Sequence, residues 1–387
     1  MKVRDFVFYI RHKLKLILEL KKPLFLILIC CSIFSSCKVY RFFVRNFANI
    51  TDYKFFTEHS LNHSTEPFHF FYSNKFNAPG NLKVKGFDGD SATLDFVLEK
   101  SPSVAFLIIR RDTILYEKYW DKYTDSSWVA SFSMAKSFTS ALIGIAIHEG
   151  FIKSVDEPIT NYIPEIKDTA FKKVTIKHLL QMTSGIKFTE RYYNPFSDAA
   201  KFYYGTNLRS AIENMKIEYA PGTKFEYKSG NPQLLGLIIE RATKKTVTEY
   251  LQEKIWQPIG AEFDASWSTD RKNNGLEKTF CCINAAARDY AKFGRLYLKD
   301  GNWSGVQVVP QEWVKESTTP TLTEGGVNFY KYQWWINRSS THDFSCDGLL
   351  GQRIFVYPEK QIIIVRLGKN DRNQNYFQLF GQLIHLL

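Results

Sequence analysis

The sequence predicts an α+β protein, with an antiparallel sheet lobe flanked by helices and interrupted by an inserted, mostly helical lobe. Apolar β-rich runs stand at both ends of the regular part of the chain. "VAFLIIR" and "TILYEKYW" lie between residues 104 and 120, and "YKYQWWI", "QRIFVYP" and "QIIIVRLG" follow residue 328. From about 156 to 300 the apolar residues recur mainly at helical spacing. Strands, then helices, then strands and a closing helix describe one lobe split by another, and clefts form between such lobes. The chain has 387 residues, 44% of them hydrophobic and 16% aromatic. That is enough for a large core in one folded unit.

The amino-terminal residues 1–37 read as an export segment. A basic stretch (Lys2, Arg4, Arg11, Lys13, Lys15, Lys21, Lys22) precedes the apolar run "PLFLILICCSIFSSC". The run is shorter than the roughly 20 residues of a spanning helix and suits a secretory core. It ends in "FSSC", which resembles a bacterial lipoprotein cleavage box with Cys37 as the lipidated residue. An uncleaved signal anchor is the alternative. Either way the remainder is expected to be exported to the bacterial periplasm or cell envelope, held at the membrane. This segment also explains the charge. Residues 1–45 carry ten Lys/Arg against Asp5 and Glu19, so eight of the twelve net positive charges lie there. The folded part is close to neutral, which argues against a nucleic-acid partner.

The elements follow in order. Residues 38–80 are aromatic and polar without periodicity, a tether and irregular arm. The runs around Arg111-Asp112 form a hairpin. Residues 133–149 form a helix apolar on nearly every face, hence buried, and stopped by Gly150. "TIKHLLQMTSG" is a short helix capped by Thr175 and terminated at Gly185; "NPQLLGLIIERAT" begins with Pro232 in its first turn. "ARDYAKFGRLYLK" is a further helix, and another starts near Asn373. Residues 81–387 are expected to form the catalytic domain, with the helical lobe at about 156–300.

Ser-x-x-Lys occurs three times, as Ser35/Lys38, Ser133/Lys136 and Ser184/Lys187. The first lies in the export segment. The third serine, Ser184, falls at a helix carboxyl end, where the dipole opposes an alkoxide. Ser133 directly precedes the buried helix, whose free N–H groups and positive dipole end face its hydroxyl. Lys136 lies one turn on, where i and i+3 side chains meet. Apolar neighbours would desolvate its ammonium. Lowering its pKa by about three pH units costs about 4 kcal/mol and gives a base usable near neutrality. A serine beside such a base is the requirement for acyl transfer through a covalent intermediate. Ser133 as a plain helix cap with a solvated lysine is the bland alternative.

Four segments in order, "SFSMAKSF", "HLLQMTSGI", "PGTKFEYKSGNPQLLGLIIE" and "GLLGQRIFVYPEK", resemble the serine β-lactamase and penicillin-recognising family over roughly 80–387. The likeness is to its class C and esterase-like branch. It implies the β-lactamase/DD-peptidase-like fold. It implies Ser133 as nucleophile, Lys136 as base and Tyr227 as the catalytic tyrosine of "YKS", with Ser229 where the family carries asparagine. A phenol beside the lysine can relay the proton from Ser133 to the leaving group. The family's third motif, Lys-Thr-Gly or a variant, should precede "GLLGQ", but "HDFSCDG" (342–348) has no Lys-Thr pair. That departure disfavours β-lactam or D-Ala-D-Ala substrates. Members lacking the pair resemble esterases and aminohexanoate-oligomer hydrolases, whose surroundings look like "ERYYNPFSD" here. This implies Tyr192 on the substrate side, and a backbone N–H near Ser345 or Cys346 joining that of Ser133 as oxyanion hole.

The leading expectation is a serine hydrolase of a small-molecule ester or amide, without cofactor. A penicillin-binding peptidase or β-lactamase is the runner-up, and a silent envelope binding module on the same fold is the reading from another class. No Gly-x-Ser-x-Gly elbow and no metal-ligand spacing occurs, so no metal is expected, and His178 and His342 are read as structural. Cys281, Cys282 and Cys346 are expected as buried free thiols. Specificity is expected to reside in cleft loops at 186–210 and 318–345.

Overall fold

The computed structural model describes residues 41–42, 47–322, 325–337, 342–371 and 374–387. The expected export segment with Cys37 lies outside the described residues. Among those described, no helix is long and apolar enough to cross a membrane.

The hairpin forms where the apolar runs place it. Ser103–Arg110 pairs antiparallel with Thr113–Tyr119, and the two connecting residues, Arg111 and Asp112, have φ of 49° and 61°. Positive φ at both positions is the turn whose twist matches the strands it joins. A distant helix fastens it: Arg295 Nε and Nη2 donate to the two Asp112 carboxylate oxygens at 2.7 and 2.8 Å. On the other side of Ser103–Arg110 come Ile362–Gly368, Gln352–Tyr357, Phe344–Gly348, Trp334–Ile336 and Tyr330–Lys331, all antiparallel. Phe71–Tyr72 adds the eighth strand, parallel to Thr113–Ile114.

Both faces of this sheet are covered, and strand alternation divides its apolar residues between two cores. Leu107, Ile109, Ile354, Val356, Ile363 and Val365 face the larger core. Phe106, Ile108, Tyr116, Phe355 and Ile364 face the smaller one. The longest helices of the larger core are α1 (Ala135–His148), α2 (Gly230–Thr243) and α3 (Ala287–Leu298). The smaller is closed by α4 (Tyr376–Leu386) through Tyr376, Leu379 and Phe380. Helix α3, expected within the helical lobe, lies instead on the sheet. Gly294 is the reason: a Cβ there would stand 2.8 Å from Ile354 Cγ2, so only a glycine lets the helix backbone come this close.

The helical lobe holds the short helices Ile176–Leu180, Asp198–Tyr204, Leu208–Glu213 and Val247–Leu251 beside α2. Thr175 caps the first of these in a capping box with His178, a structural role for that histidine. This helix ends before Gly185, because Met182 already takes the left-handed conformation at φ 60°. The arm before residue 80 is less irregular than its composition implied. Thr57–Leu61 forms the edge of a four-stranded sheet with Ala265–Thr269, Ile283–Ala285 and Val129–Ala130. The last of these strands runs straight into the segment that carries Ser133.

Candidate active site

Ser133 lies in a single 3-10 turn, Phe132–Met134, which continues into α1. Every residue of α1 from Ala135 to Ala146 is buried, so the turn is held against the core rather than against water. Phe132, just before the serine, has φ 45°. A left-handed conformation at a bulky residue costs on the order of 1–3 kcal/mol and persists only where the surroundings enforce it. Lys136 is 1% exposed. Its Nζ lies 2.7 Å from Ser133 Oγ and donates to the Phe280 carbonyl oxygen at 2.8 Å. Burial lowers the amine pKa to about 7, against a smaller upward pull from the Glu190 carboxylate. The other described Ser-x-x-Lys match is not joined. Ser184 Oγ donates to Asn231 Oδ1 at 2.5 Å, and Lys187 is exposed.

Tyr227 approaches the pair from the turn before α2. Its hydroxyl is hydrogen-bonded with Ser133, and its ring centroid is 5.0 Å from Lys136 Nζ. The ring stacks on Trp335 with centroids 5.6 Å apart and meets the edge of Tyr330 at 5.8 Å. Burial raises the phenol pKa well above its usual value, only partly offset by the Ser133 hydrogen bond. At neutral pH the phenol is therefore protonated while much of the lysine is not. Tyr192 and Ser229 share a pocket wall with Ser133. Both are tied to a residue that the motif reading passed over, Glu190. Ser229 donates its N–H to Glu190 Oε2 at 2.8 Å and its hydroxyl to Oε1 at 2.5 Å, and the Tyr192 hydroxyl also donates to Oε1. Glu190 stands in the quoted "ERYYNPFSD", two residues before Tyr192. Its contact with Ser229, 39 residues away, needed the fold to become visible.

The strand Phe344–Gly348 separates the remaining candidates. Ser345 faces a second cavity, lined also by Trp335 and Asp347, and hydrogen-bonds with Asp347. Cys346 points the other way, 1% exposed in the larger core beside Ser137. Neither side chain lines the pocket of Ser133; Leu349 and Leu350 do. Gly348 makes this approach. A Cβ on it would stand 2.3 Å from the Ser131 carbonyl oxygen and 3.2 Å from the Ser133 nitrogen. The following turn contains Leu350 at φ 63° and is held from below by Arg366, fully buried, whose Nη1 donates to the Leu350 and Gly351 carbonyls at 2.7 and 2.9 Å.

Cys281 and Cys282, expected as free thiols, are joined to each other, and Cys346 is a buried free thiol. Neighbouring side chains on an extended strand point to opposite faces, but Cys282 has φ 76°, which turns the chain and brings the two together. Among the described residues no group of His, Cys, Asp or Glu could hold a metal ion.

A serine, a buried amine with lowered pKa and a phenol within one hydrogen-bonded group form a constellation that can acylate and deacylate. A profile of the beta-lactamase family matches residues 95–379. The chain belongs to the beta-lactamase family. As a member it is a serine hydrolase, on the α+β fold of that family. The 6-aminohexanoate-dimer hydrolase of Paenarthrobacter ureafaciens is 28% identical over 298 residues, 70% of this chain and 73% of that relative. A Bacillus anthracis structure provisionally described as a 6-aminohexanoate-dimer hydrolase superposes with a TM-score of 0.74 at 22% identity, covering 87% of this chain and 92% of that one. An octameric penicillin-binding protein homologue from Pyrococcus abyssi superposes with a TM-score of 0.59 at 21% identity, covering 76% of each chain. Within the family, these two structures share the fold.

Proposed function

We propose that this protein hydrolyses an ester or amide through an acyl-enzyme on Ser133 Oγ. The observation that carries the reading is the 2.7 Å approach of Ser133 Oγ to a buried amine whose pKa is about 7. Neutral Lys136 takes the serine proton as Oγ attacks the carbonyl carbon. The Ser133 N–H and an N–H of the Gly348–Leu349 turn receive the oxyanion; the contact of Gly348 with Ser133 favours this turn over Ser345 or Cys346. The proton then passes through the Tyr227 hydroxyl to the departing oxygen or nitrogen, and that bond breaks. Water repeats the sequence on the acyl-enzyme, releasing the acid and restoring Ser133. Proton transfer of this kind contributes about 100- to 10,000-fold, and one oxyanion donor about 100- to 1,000-fold. Tyr192 and Ser229, held by Glu190, serve the substrate side.

Where penicillin-recognising relatives carry a lysine, this chain has Asp347 on the strand and Asp343 just before it, both lining the second cavity. Among the described residues no Lys or Arg lines this cavity to pair with a substrate carboxylate, which disfavours β-lactams and D-Ala-D-Ala peptides. A linear amide is supported by the Paenarthrobacter relative, whose name gives a 6-aminohexanoate dimer as its substrate. We also propose export through residues 1–37, with retention at the membrane; loss of membrane association in a Cys37→Ala variant would mark lipidation as the anchor. The catalytic reading is tested with p-nitrophenyl butyrate and a penicillin on wild type, Ser133→Ala and Lys136→Met. Ester turnover in wild type alone is expected, with little penicillin hydrolysis. Undiminished turnover by a folded Ser133→Ala variant would contradict it.

A further inference from the structure

The pocket beside Ser133 has a composition that the hydrolase reading does not require. Its walls come from Phe47, Phe132, Tyr203, Tyr204, Phe280 and Leu350, among others, and among the described residues no Lys, Arg, His, Asp or Glu lines it. A charged group entering it would lose hydration without gaining a partner. An apolar group would gain about 0.8 kcal/mol per buried methylene, or about fourfold in kcat/KM.

Its position relative to the proton path decides which half of a substrate it takes. The leaving atom must reach Tyr227 or Lys136, since these supply its proton. Neither lines the pocket, whereas Ser133 and the Leu349–Leu350 turn do. The Tyr227 ring stacks on Trp335, which lines the second cavity. The apolar pocket is therefore on the acyl side of the scissile bond.

The arm before the catalytic region completes this pocket. Phe47 and Ala48 form part of its lining, and the Phe47 ring meets Tyr193 edge-on with centroids 5.1 Å apart. Asp52, 5% exposed, fastens the arm: Oδ2 accepts from the Asn49 N–H at 2.9 Å and from the hydroxyl of Tyr203, itself a lining residue, at 2.7 Å. Exposed aromatics, Phe47, Tyr193 and Phe196, gather in the arm and the 186–210 loop. Such clusters on a monomer surface mark ligand or interaction sites.

We propose that this pocket selects substrates with a hydrophobic acyl group, a medium-length alkanoyl or an aryl-acyl, and that Phe47 and Ala48 of the arm set its length. The inference rests on the acyl-enzyme reading above. In the step concerned, the Ser133 Oγ–acyl bond forms as the bond to the leaving alcohol breaks. The serine proton leaves with the alcohol, and water then releases the carboxylic acid.

The test uses the full chain and p-nitrophenyl acetate, butyrate, hexanoate and octanoate, beside acetyl esters of alcohols of increasing length. Wild-type kcat/KM is expected to rise about fourfold per methylene along the acyl series until the pocket is full, and to change little along the alcohol series. Ala48→Trp should reduce the octanoate-to-acetate ratio at least tenfold, and Phe47→Ala, which removes the ring that bounds the pocket, should raise it; a melting curve shows whether each variant is folded. A flat acyl series, a gradient confined to the alcohol series, or an unchanged ratio in both folded variants would overturn the proposal. If Ser133→Ala still loses acetate turnover in that event, the hydrolase reading stands while the acyl pocket falls. If wild type turns over no ester, both fall.

Discussion

Lys136 holds its unusual state at a cost that can be weighed. A drop from 10.5 to about 7 in a group 1% exposed corresponds to on the order of 5 kcal/mol of stability at neutral pH. For a base with a lowered folded pKa the unfolded chain binds more protons between pH 7 and 10.5, so stability should rise with pH across that window. Lys136→Met removes the titration but leaves the Phe280 carbonyl without its donor. The first effect is the larger, so the variant should be inactive yet melt higher than wild type at pH 7 and show a shallower pH dependence of stability. A lower melting temperature would mean that the hydrogen bond outweighs the desolvation. Glu190 acts on the same amine from the opposite direction, since its negative charge favours the ammonium. Glu190→Gln keeps polar atoms for Tyr192 and Ser229 but removes the charge. The Lys136 pKa then falls, more neutral amine is present at pH 6, and the acid limb of the kcat/KM profile moves to lower pH. Movement to higher pH would exclude this electrostatic role.

Among the elements, the strand end at Gly348 and helix α1 matter most to the site. Gly348→Ala would push a methyl into the Ser131 carbonyl oxygen, separating the Leu349 turn from Ser133. Turnover should fall more than tenfold, while far-UV circular dichroism stays that of wild type; unchanged turnover would remove this turn from the oxyanion hole. Helix α1 depends on packing across to α3, where Phe138 stacks on Phe293 with centroids 3.6 Å apart, both rings fully buried. Phe138→Ala should cost about 3–5 kcal/mol, read from the denaturant midpoint. Elements with local causes could be read from sequence: the Arg111-Asp112 hairpin, the all-apolar α1, and the Thr175 cap. Those with distant causes could not. Thr57–Leu61 becomes a strand because Ala265–Thr269 lies beside it, some 208 residues on, and α3 joins the sheet through the single glycine at 294.

At the scale of the molecule, two cores on either face of one sheet fix a serine turn, a strand end and a loop in common register. The ordered motifs singled out Ser133, Lys136 and Tyr227 as candidates, and the structure brings these three side chains into one hydrogen-bonded group. Glu190, the Cys281–Cys282 link and the pocket wall at Phe47 depend on backbone turns or on contacts far apart in sequence, which no local pattern encodes. The missing Lys-Thr pair was visible from the sequence. That carboxylates take its place along one cavity wall required the fold. The central claim is that the acyl group of a substrate becomes bonded to Ser133 Oγ. Intact-mass spectrometry after rapid acid quench with p-nitrophenyl butyrate, followed by peptide mapping, tests it most directly. The account predicts one butyryl group on the peptide containing "SFSMAK", located on Ser133 and absent from Ser133→Ala. An adduct on another residue, or ester turnover that persists in Ser133→Ala, would contradict it.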